Sequence, residues 1–135
     1  MPSILLVEDN ETLTKMFLHY FRKKTNLQVS ATFGSAEEAL QWFQEQEAPT
    51  EMVDVVLVDL SLPGMNGITL VEELRAAYPG IKCLILSGHK NKLHVRRALE
   101  AGARGYVLKD DLTQLPMGVE RAMAGEIFLS DTLAP

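Results

Sequence analysis

Cysteine is almost missing from this chain. Cys83 is the only one in 135 residues, so no internal disulfide is available and the fold must rest on an apolar core. An excess of positive charge is missing too: 13 Lys and Arg stand against 18 Asp and Glu, a net charge of -5. Without a basic footprint the chain alone is not expected to bind nucleic acid. No apolar run approaches the ~20 residues that span a bilayer, and no signal-peptide pattern opens the chain. Internal repeats, low-complexity tracts and interdomain linkers are also lacking. These absences exclude a disulfide scaffold, a stand-alone DNA binder and a membrane span, and they predict a reducing, cytoplasmic setting. What is present is ordinary globular material, 47% apolar and 23% charged, of single-domain length. Cys83 lies inside the apolar run from Ile81 to Leu86 and is expected to be a buried thiol.

The run Val56-Leu57-Val58 stops at Asp59 and is followed by Pro63-Gly64 and a helical pattern. An unbroken β-branched run reads as a strand covered on both faces, with its carboxylate at the C-terminal end. Four more strands are expected: Ile4 to Val7, Leu27 to Phe33, Cys83 to Leu86 and Tyr106 to Leu108. The second alternates loosely and reads as an edge. Helices are expected between them. Asn10 caps the first, which carries Leu13, Met16, Phe17, Tyr20 and Phe21 on one face. Ser35 and Glu38 make a capping box for the second, on Ala36, Ala39, Leu40 and Phe43. The third carries Leu70, Val71 and Leu74 and ends before Pro79-Gly80; the fourth carries Leu93, Ala98 and Leu99, with Gly102 as its C-cap. The last runs from Leu115 or Pro116 to Ala124 and is weakened by Gly118. Five strands alternating with five helices predict an α/β fold, a parallel sheet with helices on both faces.

Polar residues close four of the strands: Glu8-Asp9, Asp59, Ser87 and Lys109. Right-handed crossovers bring these ends to one sheet edge, and the order 2-1-3-4-5 sets the first strand beside the third at the switch point. Three crowded carboxylates call for a cation, and an all-oxygen donor set suits Mg²⁺. A carboxylate can attack phosphorus directly, with Lys109 and Ser87 serving the transferring oxygens. No residue stands out as general base for a second substrate, which favours a domain that is itself modified over an enzyme that turns over.

Those strand ends, together with Val58-Asp59-Leu60-Ser61-Leu62-Pro63-Gly64-Met65-Asn66-Gly67, Leu86-Ser87-Gly88 and Gly102 to Lys109, resemble a response-regulator receiver domain of two-component signalling. The likeness covers essentially the whole chain, so residues 1–135 are read as one receiver domain with a flavodoxin-like, doubly wound five-stranded sheet. It implies Asp59 as phosphoacceptor, with Ser87 and Lys109 contacting the phosphoryl group. Glu8, Asp9, Asp59 and the Ser61 carbonyl would hold Mg²⁺, and Ser87 and Tyr106 would form the switch. It also implies a sensor histidine kinase or phosphotransfer protein as partner, and a homodimer through the face of the fourth and fifth helices. The tail from Gly125 to Ser130, with Lys109-Asp110, is similar to the NarL/FixJ branch, whose members usually carry a helix-turn-helix DNA-binding domain after the receiver. Asp110 replaces the proline many receivers have there, predicting a trans peptide. Pro116, Gly118 and a segment about one residue short before Gly125 depart from the branch at the usual signalling surface.

Plainer readings stand beside these. Lys109 could pair with Asp110 or Asp111, Ser87 could cap the next helix, and Tyr106 could be core packing. His19, His89 and His94 are expected in solvent, and Lys90, Lys92, Arg96 and Arg97 on a solvated helix face that could meet an acidic partner. The rival functions are a Mg²⁺-dependent aspartyl phosphohydrolase, which places a second Asp where this chain has Ser61, and a stand-alone receiver acting as an unphosphorylated interaction module.

Overall fold

The computed structural model describes residues 2–130 and Leu133. Strands β1 (Ser3–Val7), β2 (Gln28–Phe33), β3 (Val55–Asp59), β4 (Lys82–Ser87), β5 (Gly105–Leu108) and β6 (Phe128–Leu129) form one parallel sheet in the order β2-β1-β3-β4-β5-β6. The helices are α1 (Glu11–Lys24), α2 (Ala36–Glu45), the one-turn α3 (Pro49–Met52), α4 (Gly67–Ala77), α5 (Lys92–Ala101) and α6 (Leu115–Met123). The expected fourth and fifth helices are thus α5 and α6. None of the described helices is long and apolar enough to cross a membrane.

Strand alternation explains why apolar runs were unbroken. Leu5, Val7, Val56, Val58, Cys83 and Ile85 face α2, α4 and α5, where they meet Ala39, Phe43, Leu70, Leu74 and Ala98. Their neighbours Ile4, Leu6, Val55, Leu57, Leu84 and Leu86 face α1 and α6, against Phe17, Phe21, Leu115, Val119 and Ala122. Every residue of β3 is buried, while β2 alternates exposed and half-buried as an edge strand does.

The doubly wound order holds for the first five strands, and three elements were not foreseen: a sixth strand, the one-turn α3 and a 3-10 turn at Leu112–Gln114. Phe128 and Leu129 add a sixth strand beside β5, too short to show any alternation. Pro49 starts the single turn of α3 inside what reads as a polar connection. The caps follow the sequence: Asn10 Oδ1 accepts from the Leu13 amide at 3.1 Å, and Ser35 Oγ from the Glu38 amide at 3.1 Å. Gly102 takes the left-handed C-cap at φ 113°. Two side chains placed on apolar faces are exposed instead. Met16, 52% exposed, falls on the rim of the stripe that Leu13, Phe17, Tyr20 and Phe21 define. Leu93, 50% exposed, lies five residues before Ala98 and therefore well round α5 from its buried side. Gly118, costly for a helix, is buried where α6 meets β6. A Cβ there would stand 3.1 Å from the Phe128 ring, so the close approach explains the residue.

Candidate functional site

Parallel winding delivers the polar strand ends to one edge. Asp59 closes β3 and is 3% exposed, Glu8 follows β1 at 4%, Ser87 closes β4 at 1%, and Lys109 follows β5. Asp9 is exposed beside Glu8. One carboxylate oxygen from each of Glu8, Asp9 and Asp59 lies within 4.8 Å of the others. Lys109 Nζ reaches between two of them, 2.9 Å from Glu8 Oε1 and 3.2 Å from Asp59 Oδ1. It pairs with neither Asp110 nor Asp111. The Lys109-Asp110 peptide is trans, as expected for a bond that precedes no proline.

Local backbone geometry holds the carboxylates. The Glu8 amide donates to the Phe33 carbonyl at 2.9 Å, and Glu8 Oε2 accepts from the Asn10 amide at 3.2 Å. The Ser61 amide donates to Asp59 Oδ1 at 3.2 Å. Burial pushes the Glu8 carboxyl above its ordinary range, with Lys109 and the Asn10 amide pulling the other way. Burial alone would lower Lys109, but Glu8 and Asp59 outweigh it and hold the ammonium above its usual value. Two buried carboxylates about 5 Å apart repel by roughly 3 kcal/mol at an effective dielectric near 20, so one ammonium leaves this edge short of positive charge. A hard divalent ion fits the donor set, which is entirely oxygen and partly open to solvent through Asp9.

Ser87 sits beside this cluster without bonding Asp59 or Lys109 through its side chain. Its Oγ accepts from the His89 amide at 3.0 Å in a tight turn, and the cap of α5 is Asn91. The Tyr106 ring is wholly buried, with its hydroxyl donating to the His89 carbonyl at 3.0 Å. Burial raises the phenol, partly offset by the Ser87 hydroxyl. Of the histidines, His19 and His89 are exposed as expected, but His94 is half-buried. Its ring meets His89 edge-on at 6.3 Å, and its Nδ1 is buried without a hydrogen bond, because the turn of α5 that buries Ala98 also draws His94 in.

Sequence reasoning missed three contributors. Gly67 lets α4 start against the Asp59 main chain: a Cβ there would overlap the Asp59 carbonyl oxygen. Glu37 Oε2, on α2, accepts from the Met65 amide at 3.1 Å and ties down the loop after Asp59. Ser130 Oγ accepts from the Leu108 amide at 2.9 Å, next to Lys109. Gly67 had a signal, a glycine opening a helix. Glu37 and Ser130 are single polar residues whose partners lie 28 and 22 positions away, and nothing local marks them.

Comparisons with known proteins agree with this fold. Residues 4–119 match the family described as response regulator receiver domain. The transcriptional activator protein ExaE of Pseudomonas putida is 33% identical over 132 residues, covering 97% of this chain and 59% of its own length. The nitrate/nitrite response regulator protein NarL of Escherichia coli K12 is 28% identical over 134 residues, 98% of this chain and 60% of its own. A crystal structure of a LuxR-family two-component response regulator from Aurantimonas sp. SI85-9A1 superposes with a TM-score of 0.86 at 29% identity, over 97% of this chain and 91% of that one. The chain spans about three fifths of the length of the two curated relatives.

Proposed function

Because this chain belongs to the response regulator receiver family, with relatives of the NarL/LuxR type, we propose that Asp59 accepts a phosphoryl group from a sensor histidine kinase or phosphotransfer protein and thereby switches an output. The observation that carries this reading is the Lys109 ammonium set between the buried carboxylates of Asp59 and Glu8. An ionised aspartate needs no general base. Its Oδ1 is held by Lys109 and the Ser61 amide, which leaves Oδ2 to attack phosphorus. The new bond joins that oxygen to phosphorus. The bond that breaks joins phosphorus to the donor's leaving atom, an imidazole nitrogen in a phosphohistidine, which departs with the electron pair and takes a proton from water. Lys109 stays beside the transferring group to balance its charge. Glu8, Asp9, Asp59 and the Ser61 carbonyl would hold Mg²⁺, which supplies further charge neutralisation at the phosphoryl oxygens.

The aspartyl phosphate carries a charge of about -1.5 to -2 where the free carboxylate carried -1, spread over three further acceptor oxygens. Ser87 then exchanges the His89 amide for a phosphoryl oxygen, and the Tyr106 ring is stabilised in its buried position beside it. Such a switch biases two states that both exist beforehand. The output is transcriptional, through a DNA-binding domain in the part of the whole protein that the relatives have and this chain does not span, with dimerisation on the α5 and α6 faces and a cytoplasmic setting. A phosphohydrolase is disfavoured by Ser61, whose amide serves Asp59 where such an enzyme needs an acid/base carboxylate. The test is incubation with a small-molecule phosphodonor and Mg²⁺. A stoichiometric label, absent in Asp59→Asn and slowed in Lys109→Ala, is expected; equal labelling of Asp59→Asn would sink the assignment.

A further inference from the structure

Strand β5 is the element that carries both Tyr106 and, one residue past its end, Lys109. Its two long sides are held differently. On the β4 side the ladder is ordinary, with Ser87 opposite Leu108 and the Lys109 amide donating to the Ser87 carbonyl at 2.8 Å. On the other side β6 has only two residues. The Phe128 amide donates to the Arg104 carbonyl at 2.9 Å and the Ser130 amide to the Tyr106 carbonyl at 3.1 Å. The next rung would join the Leu108 amide to the Ser130 carbonyl. That carbonyl is turned away, accepting from the Leu133 amide at 2.8 Å. The Ser130 side chain supplies the missing acceptor: Oγ takes the Leu108 amide at 2.9 Å.

Ser130 is completely buried and Leu108 is 2% exposed, so no solvent stands ready to replace this bond. Without Oγ the last amide of β5 is an orphan, immediately before the residue whose ammonium holds Asp59 and Glu8. From this geometry we propose that Ser130 is a positioning residue for the phosphoryl site. Its hydroxyl completes the β5 ladder where the backbone leaves it, and so fixes where Lys109 and the Tyr106 carbonyl stand. The inference rests on Asp59 being the phosphoacceptor. Ser130 itself touches neither the carboxylates nor Lys109 through its side chain, and its effect runs through the Leu108 main chain.

The test compares Ser130→Ala, Ser130→Cys and Ser130→Thr with the parent chain, measuring amide exchange at Leu108 and Lys109 and labelling by a small phosphodonor with Mg²⁺. Loss of a buried hydrogen bond is expected to speed Leu108 exchange in Ser130→Ala by about ten- to a hundredfold. The maximal labelling rate should fall roughly tenfold, with the half-saturating Mg²⁺ and donor concentrations unchanged, since β1 and β3 carry the metal ligands. Across the three variants the labelling rate should track Leu108 exchange, and whichever variant restores exchange should restore the rate. Labelling of Ser130→Ala at the parental rate, or a rate that does not follow exchange, overturns the proposal. If the parent chain takes no label, the reading of Asp59 falls; Ser130 is then judged on exchange alone, and unchanged exchange in Ser130→Ala overturns its role.

Discussion

Gly67 is the residue on which the Asp59 environment is most tightly built. A methyl group there would overlap the Asp59 carbonyl oxygen and stand 3.1 Å from the Leu60 Cα, both main-chain atoms that no rotamer change can move. Alanine is favoured over glycine in a helix by about 1 kcal/mol, but overpacking typically costs 1–3 kcal/mol or more and falls on a rigid contact here. Gly67→Ala is therefore expected to lower the urea midpoint and to reduce phosphoryl labelling by more than the lost folded fraction explains; an unchanged midpoint would contradict the contact. Cys83 makes a prediction about pH. Burial pushes its thiol from an ordinary 9.0 up to about 12. The folded chain thus keeps a proton that the unfolded chain releases, so this stabilisation is complete below pH 9.0 and is lost as pH rises towards about 12. Between those values the stability of Cys83→Ala should decline less steeply than that of the parent, in urea titrations at stepped pH. At pH 8 iodoacetamide should leave the native thiol unmodified and alkylate it in urea.

At the scale of elements, what was legible followed from local rules. Asn10 and Ser35 precede apolar stripes and cap α1 and α2 as their spacing demands. The unbroken run of β3 read correctly as a strand covered on both faces, and those of β1 and β4 as strands, because alternation disappears when both sides are apolar. The strand ends Glu8, Asp59, Ser87 and Lys109 were legible as a cluster because topology alone brings them to one edge. What stayed hidden depends on distant partners or on very short segments. Phe128 and Leu129 become a strand only because the edge of β5 is free, and Gly118 makes sense only against the Phe128 ring. Leu93 was placed on the wrong side of α5 since its two alanines carry little pattern of their own. Glu37 is the clearest hidden case, an exposed residue of α2 that secures the loop leading from Asp59 into α4. That loop turns at Gly64, with φ at 70°, directly against the Glu37 carboxylate. Glu37→Ala should speed amide exchange at Met65 several-fold while leaving global stability within about 1 kcal/mol, since the bond is exposed. Unchanged exchange at Met65 would show that the loop holds itself.

The whole molecule carries its charge unevenly, and this decides how it should respond to magnesium. Glu8, Asp9 and Asp59 crowd one sheet edge of a chain of net charge -5, with Lys109 paired to Glu8 and Asp59. Burial raises the Glu8 carboxyl, so the folded chain binds a proton there more tightly than the unfolded chain does. That contribution is complete below the ordinary value of 4.5 and is lost as pH rises through the raised one, so ionising Glu8 beside Asp59 costs stability. A divalent ion removes that cost by binding the ionised form. At a hundred times its dissociation constant a ligand specific for the folded state adds about 2.7 kcal/mol, which for a domain of this size is a rise of roughly 5–10 °C in Tm. Calorimetry at pH 7 should find such a rise with Mg²⁺ and lose most of it in Asp9→Asn. The rise should shrink as pH falls through the raised Glu8 value, because protons then compete for the same oxygens. Glu8→Gln, which removes the buried charge, should be at least as stable as the parent without Mg²⁺ and gain less from it. A variant destabilised without Mg²⁺ yet still fully responsive to it would mean that Glu8 serves Lys109 rather than a cation.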